Sequence, residues 1–124
     1  MKIRIARKDD FPGIRRLIKM YPEKLMQAHL PRVGRFFVVI EDGKIVGCCA
    51  LEIYSKRLAE IRSLSVEKKY HGRGIAIELI KHCLKRARKK GVYEVLAITG
   101  AKGLFEKFGF HAFHKEKFAL LKIL

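Results

Sequence analysis

The chain opens on alternation. Lys2-Ile3-Arg4-Ile5-Ala6 sets charged against apolar positions, which predicts a half-buried strand over 2–6. The period then lengthens: Ile14, Leu17 and Ile18 fall on one face of a helix that runs to about Met20. Asp9 or Asp10 suits its cap and Pro12 its first turn. Pro22 interrupts, and a short helix is expected over 23–30, ending at Pro31. Residues 35–41 and 44–54 are rich in apolar and β-branched types and flank Asp42-Gly43, a tight hairpin turn. Residues 58–66 read as the third strand of that meander. A long helix follows over 73–90, with Ile75, Leu79, Ile80, Cys83, Leu84 and Ala87 on one face and Gly91 as its stop. A strand over 93–99, a short helix over 102–108 and a final pair of strands over 110–113 and 117–123 complete the pattern. This order predicts an α/β fold of the α+β kind: one mixed sheet flanked by helices, in a single domain over residues 1–124.

At 124 residues and 49% hydrophobic content the chain can build one core. No apolar run is long enough to span a bilayer, and the alternating N-terminus is unlike a secretory signal, so the expected location is cytoplasmic. Cys48, Cys49 and Cys83 lack paired spacing and read as buried thiols. No metal site is expected, since the five histidines share no ligand spacing on one element. The net charge of +16 predicts attraction for anions: a phosphorylated cofactor, a carboxylate substrate, nucleic acid or an acidic partner. Nucleic acid gains no support beyond charge, because no aromatic platform or helix-turn-helix pattern appears. A homodimer through the C-terminal strands or the β-edge is compatible with the pattern but is not written in it.

The chemistry gathers between residues 59 and 76. A strand, Ala59-Glu60-Ile61-Arg62-Ser63-Leu64-Ser65-Val66, runs into Tyr70-His71-Gly72-Arg73-Gly74-Ile75-Ala76, which opens the long helix. The first turn of a helix presents main-chain N–H groups without intrahelical acceptors, and these bind phosphate. The spacing is a poor dinucleotide fingerprint, because its third small residue would fall at Ile77. Glu60 stands on the entering strand as a candidate general base. Arg62, two residues on and on the same face, either pairs with Glu60 or clamps a substrate carboxylate. Lys68, Lys69 and Arg73 flank the turn. Arg35, Lys56 and Arg57 are less definite anion ligands, and the basic residues at 81–90 read mostly as a solvated helix face.

The turn resembles the acetyl-CoA loop of the GNAT acetyltransferases, Gln/Arg-x-x-Gly-x-Gly/Ala. Gly74 and Ala76 match, and His71 departs from the first position. Phe105-Glu106-Lys107-Phe108-Gly109-Phe110 resembles that family's Tyr-Glu-Lys-x-Gly-Phe segment. Gly47-Cys48-Cys49-Ala50-Leu51 and Ala59 to Leu64 resemble strands of its amino-acid N-acetyltransferase group, the N-acetylglutamate synthase type. The resemblance implies acetyl-CoA as acetyl donor and no metal. The donor would lie against Leu64, Ser65, Val66, His71, Gly72, Arg73, Gly74, Ile75, Ala76 and Phe105, with Glu60 catalytic and Arg62 binding a small anionic amino acid such as glutamate. It also implies a bulge near 63–65 that frees an N–H for the thioester oxygen. Phe105 replaces the family's tyrosine and has no proton to give the leaving thiolate, and nothing in the sequence places the Tyr54 or Tyr70 hydroxyl there. A peptide or lysine amine as acceptor is the second enzymatic expectation, and a non-catalytic acetyl-CoA- or nucleic-acid-binding module the third.

Overall fold

The computed structural model describes residues 1–112 and 120–124. Five strands, β1 (Lys2–Ile5), β2 (Phe36–Glu41), β3 (Lys44–Ile53), β4 (Leu58–Val66) and β5 (Glu94–Ala97), lie side by side in chain order. The first four pair antiparallel and β5 joins β4 in parallel, so the sheet is mixed as expected. Parallel pairing needs a crossover, and the helix α2 (Ile75–Lys89) supplies it.

Each face of the sheet has its own helix. α1 (Phe11–Lys19) covers one face through Ile14, Leu17 and Ile18, which pack with Phe36, Val38, Cys48 and Ala50. α2 covers the other through Ile75, Leu79, Ile80 and Cys83, against Val39, Val46, Cys49, Leu51 and Ile61. The burial of β3 follows: its residues from Ile45 to Leu51 are all buried, because helices sit on both sides. The three cysteines are free thiols at 0% exposure. Burial pushes the Cys48 thiol far above its usual range, so it stays protonated.

Several expected boundaries move, each for a physical reason. Asp10 does not cap α1. Its carboxylate accepts the Arg7 N–H at 2.6 Å, closing the 3-10 turn before the helix, and takes two bonds from the Arg4 guanidinium at 2.6 and 3.0 Å. Those bonds hold the Asp10 carboxyl below its ordinary value. α2 begins at Ile75 and not at 73, because Gly74 adopts φ +78°, outside the helical region. It stops as predicted: Gly91 is left-handed, its N–H bonds to Arg88 O and that of Val92 to Ala87 O, which is a Schellman closure. β5 is shorter than expected at 94–97, and the last helix, α3, covers Lys102–Glu106.

The helix expected over 23–30 is absent. After Tyr21 the chain makes one turn, and the Gln27 amide donates to Ile18 O and Leu25 O, both at 3.0 Å. A side chain thus satisfies the end of α1, and His29 at φ +55° forbids a helical continuation. No strand forms over 110–112 or 120–123. The rest of the expected final pair lies outside the described residues.

Candidate active site

The site begins with an irregularity in β4. Gly47 faces Val66 and Cys48 faces Ser65, but the next partners along β3 and β4 are Ala50 and Arg62. One residue of β3, Cys49, therefore opposes two of β4, Ser63 and Leu64, which is a β-bulge. Ser63 carries it at φ +57°. Pairing with β5 has already ended at Ile61 opposite Ala97. Beyond the bulge β4 has no neighbour on that side among the described residues. Because the Glu67 N–H bonds to Val46 O, the alternation of an antiparallel ladder turns Val66's own N–H and C=O away from β3; the N–H faces the opening, while the C=O is taken by His71 and Tyr21. An extended ligand can add to this edge as a strand would.

At the end of β4 the chain makes a 3-10 turn, Lys68–Tyr70, and then the glycine turn. Gly72 and Gly74 stand at φ +79° and +78°, which only glycine adopts without cost. No main-chain N–H from Gly72 to Gly74 finds an acceptor among the described residues. They join the unpaired first N–H groups of α2, and the helix has no side-chain cap. The result is a concave set of donors at the positive end of a 15-residue helix, suited to a pyrophosphate.

Between this turn and the open edge lies a groove of about 440 Å³, walled by Leu64, Ser65, Val66, His71, Gly72, Gly74, Ile75 and Ala76 together with Tyr21, Lys24 and Leu104. Eight of the predicted donor-contacting residues therefore line one cavity. Two do not. Arg73 lies over the Tyr70 ring, 4.9 Å from its centroid. Phe105 is buried in the core, edge-on to Phe110, and its neighbour Leu104 faces the groove instead. Ser65 reaches the groove wall while its hydroxyl donates to Leu17 O at 3.2 Å.

His71 and Tyr21 share one acceptor. His71 Nε2 lies 2.8 Å from Val66 O and the Tyr21 hydroxyl 2.5 Å from it. A carbonyl only accepts, so Nε2 carries the proton, and the 3.3 Å approach of Tyr21 to Nε2 sets two donors side by side. The departure from Gln or Arg at position 71 thus has a local role: the ring ties the glycine turn to the end of β4. Tyr70 anchors the turn from below through its hydroxyl to Asp42 at 2.9 Å, which takes that hydroxyl away from the groove. Glu67 pins the same corner to α1 and β3 through Arg16 at 3.1 Å and Lys44 at 3.3 Å. Burial alone would raise the Glu67 carboxyl; the bonds from Arg16 and Lys44 outweigh it and hold the carboxyl below its ordinary value.

On the other side of the bulge, Glu60 and Arg62 occupy the α1 face of the sheet, past the end of that helix. Glu52 lies directly across from Glu60 on β3. Tyr54 ends that row, and its hydroxyl donates to Glu60 Oε1 at 2.5 Å. Burial, then the bond to Glu60, pushes the Tyr54 hydroxyl up to about 12. Arg62 makes no ion pair with Glu60. Its guanidinium donates to His29 O at 3.3 Å and lies 3.7 Å from Met26 Sδ, so it braces the loop after α1. Sequence reasoning missed Tyr21, Lys24 and Leu104 as groove residues and Tyr54 as the partner of Glu60. No metal-binding group of His, Cys, Asp or Glu occurs among the described residues, and none of their helices is long and apolar enough to cross a membrane.

A strand opened by a bulge, followed by a glycine turn on a helix N-terminus, is a layout that known proteins share. Residues 2–110 match the acetyltransferase (GNAT) family. The chain belongs to that family. It is an N-acetyltransferase that takes its acetyl group from acetyl-CoA, of the amino-acid acetyltransferase-like group. It is 31% identical to an uncharacterized N-acetyltransferase of Chlorobaculum tepidum, over 94% of this chain and 79% of that one. It is 32% identical to an amino-acid acetyltransferase of Mycobacterium tuberculosis, over 87% of this chain and 67% of that one. Among solved structures, a Mycobacterium tuberculosis protein in complex with CoA and NLQ superposes with a TM-score of 0.86 at 30% identity, covering 92% of this chain and 74% of that one. N-acetylglutamate synthase from Neisseria gonorrhoeae, complexed with coenzyme A and N-acetyl-glutamate, superposes at 0.75 with 26% identity over 87% of this chain. This chain spans only 27% of that synthase.

Proposed function

We propose that this acetyltransferase acts on the primary amine of a small anionic amino acid such as glutamate, with Glu60 as general base and Arg62 as the ligand of the acceptor's carboxylate. The observation that carries this reading is the division of β4 by its bulge. Before it, Glu60 and Arg62 share a face on alternate residues; after it, Leu64 to Val66 run along the groove. One strand thereby aligns the acceptor amine with the donor's thioester, which is where much of the rate of a two-substrate transfer originates. The amino-acid acetyltransferases among the relatives point to the same acceptor class.

In this mechanism Glu60 takes a proton from the ammonium of the acceptor, directly or through a water, and leaves a lone pair for attack on the carbonyl carbon. Main-chain groups of Leu64 and the N–H of Val66 hold the pantetheine arm in extension, and an N–H released at the bulge faces the carbonyl oxygen as charge develops there. Gly72, Gly74 and the first turn of α2 take the pyrophosphate. Collapse breaks the C–S bond, and the amide nitrogen gives its second proton to water. Phe105 protonates nothing from the core, so the thiolate leaves as such or takes its proton from water.

The second reading, a peptide N-terminus or lysine amine as acceptor, draws on the segment from Tyr21 to Pro31. It forms no helix, and a helix there would wall the acceptor side more fully. Thiol release from acetyl-CoA separates the two when amino acids, basic peptides and buffer alone are compared. Release with glutamate or a close analogue supports the small acceptor; release with peptides alone overturns it. Glu60→Gln is expected to cut turnover by about 10²-fold or more while CoA affinity holds. Turnover within twofold of the parent removes Glu60 as base.

A further inference from the structure

The phenol beside Glu60 belongs to no part of the chemistry assigned so far. Four tyrosines occur in the chain. Tyr21 is committed to Val66 O and Tyr70 to Asp42, and Tyr93 is 83% exposed. Only the Tyr54 hydroxyl reaches Glu60. The reason lies in the register. Tyr54 follows β3 by one residue and sits opposite Leu58, two residues along from the Glu52–Glu60 pair. It therefore shares their face, and a diagonal neighbour at this spacing is within reach of an aromatic side chain.

The backbone beneath Tyr54 is closely fixed. Its N–H and that of Ser55 both donate to Leu58 O, at 3.0 and 3.2 Å. Ser55 Oγ accepts the N–H groups of Arg57 and Leu58 at 3.1 Å each. The entry to β5 ties on as well, through the Tyr93 N–H to Lys56 O and the Glu94 N–H to Arg57 O. A ring on such a turn can hold one carboxylate oxygen still. The other groups facing Glu60 are Glu52 across the ladder on β3, Arg62 along β4 and the uncharged Leu96 on β5.

We propose that Tyr54 is a positioning residue for acetyl transfer: its O–H fixes the Glu60 carboxylate so that the remaining lone pairs face the acceptor amine. This rests on Glu60 being the base. Tyr54 keeps its own proton throughout; the proton taken from the acceptor resides on Glu60.

The experiment is Tyr54→Phe beside Glu60→Gln, with kcat and KM for acetyl-CoA measured separately. Tyr54 is 54% exposed, so the loss of its hydroxyl leaves the core intact, and an unchanged thermal midpoint confirms that. The expected result is a fall in kcat of about tenfold with an unchanged KM for acetyl-CoA. Wild-type kcat, or a lowered kcat accompanied by a raised KM for acetyl-CoA, overturns the proposal. The second of these outcomes would leave Tyr54 a merely structural part. Should Glu60→Gln keep full turnover, the base assignment falls and the proposal falls with it. An inactive Glu60→Gln beside a fully active Tyr54→Phe sinks only the role of Tyr54.

Discussion

Gly47 lies where β3 passes closest to α2, and replacing it with alanine tests how the fold holds the donor groove. A Cβ at Gly47 would stand 2.8 Å from Ile75 Cγ2 and 3.3 Å from Leu79 Cδ1. Two effects compete. Gly→Ala at a position with ordinary φ stabilises by about 0.4–1 kcal/mol, because the unfolded chain loses freedom. Overpacking a tight core costs about 1–3 kcal/mol. The second wins here because of what is struck. Ile75 is β-branched, and its Cγ2 is fixed by a χ1 with one strongly preferred rotamer in a helix, so the methyl cannot swing clear. Relief requires the N-terminal turn of α2 to move, and that turn carries the glycine donors. The net loss is about 1–2 kcal/mol. With a urea slope of about 1.5 kcal/mol per M, the midpoint falls by roughly 1 M. CoA affinity falls in the same variant, since Ile75 also lines the groove. Gly13→Ala is the control. Its Cβ meets only Ile45 Cδ1 within 3.0 Å, the far end of a side chain that can turn, and a helix gains about 1 kcal/mol from the change. A Gly47→Ala protein as stable as the parent, or a Gly13→Ala protein that loses as much, would refute this reasoning.

Two further substitutions probe the same corner. Gly74→Glu puts a side chain at φ +78° and a negative charge among the anion donors, so CoA binding measured by calorimetry should disappear; binding of normal strength would remove the pyrophosphate assignment. Glu67 has a folded-state pKa held below its unfolded value, so its contribution is present above about pH 4.5 and is lost as pH falls through the lower folded value. Glu67→Gln should cost about 1–2 kcal/mol at pH 7 and flatten the acid side of the stability curve, and an acid limb identical to the parent's would contradict that role.

What the sequence made legible follows from how local each signal is. Ile14, Leu17 and Ile18, and the stripe from Ile75 to Ala87, bury the faces their spacing announces. The glycine turn was readable because Gly72 and Gly74 hold a backbone conformation that other residues resist. The bulge was foreseen only through family resemblance. Ser63 has no local reason to be left-handed, and the ladder against Cys49 imposes it. Tyr21 was invisible for a similar reason. A lone tyrosine after a helix has no pattern, and its partner, Val66 O, lies 45 residues on. The helix expected over 23–30 failed because the Gln27 amide competes for the carbonyls at the end of α1, a contact that composition cannot show. Phe105 and Leu104 exchanged roles because neighbouring residues of a helix point about 100° apart, and only the docking of α3 decides which faces inward.

The bulge also constrains how this gene can lengthen or shorten. Before it, odd-numbered residues of β4, Ala59 and Ile61, enter the core beneath α2; after it, the even-numbered Val66 does, while Ser65 turns to Leu17 on the opposite face. The extra residue at 63–64 is what reverses the parity. Removing one codon there would leave a single residue opposite Cys49, so the ladder would pair regularly with each side chain on its present face, and the opening that the extra residue makes beside the groove would be lost. Side chains at 63 and 64 are half-exposed and can vary. The number of residues between Arg62 and Ser65 cannot, so across a lineage this strand should drift in spelling but not in length.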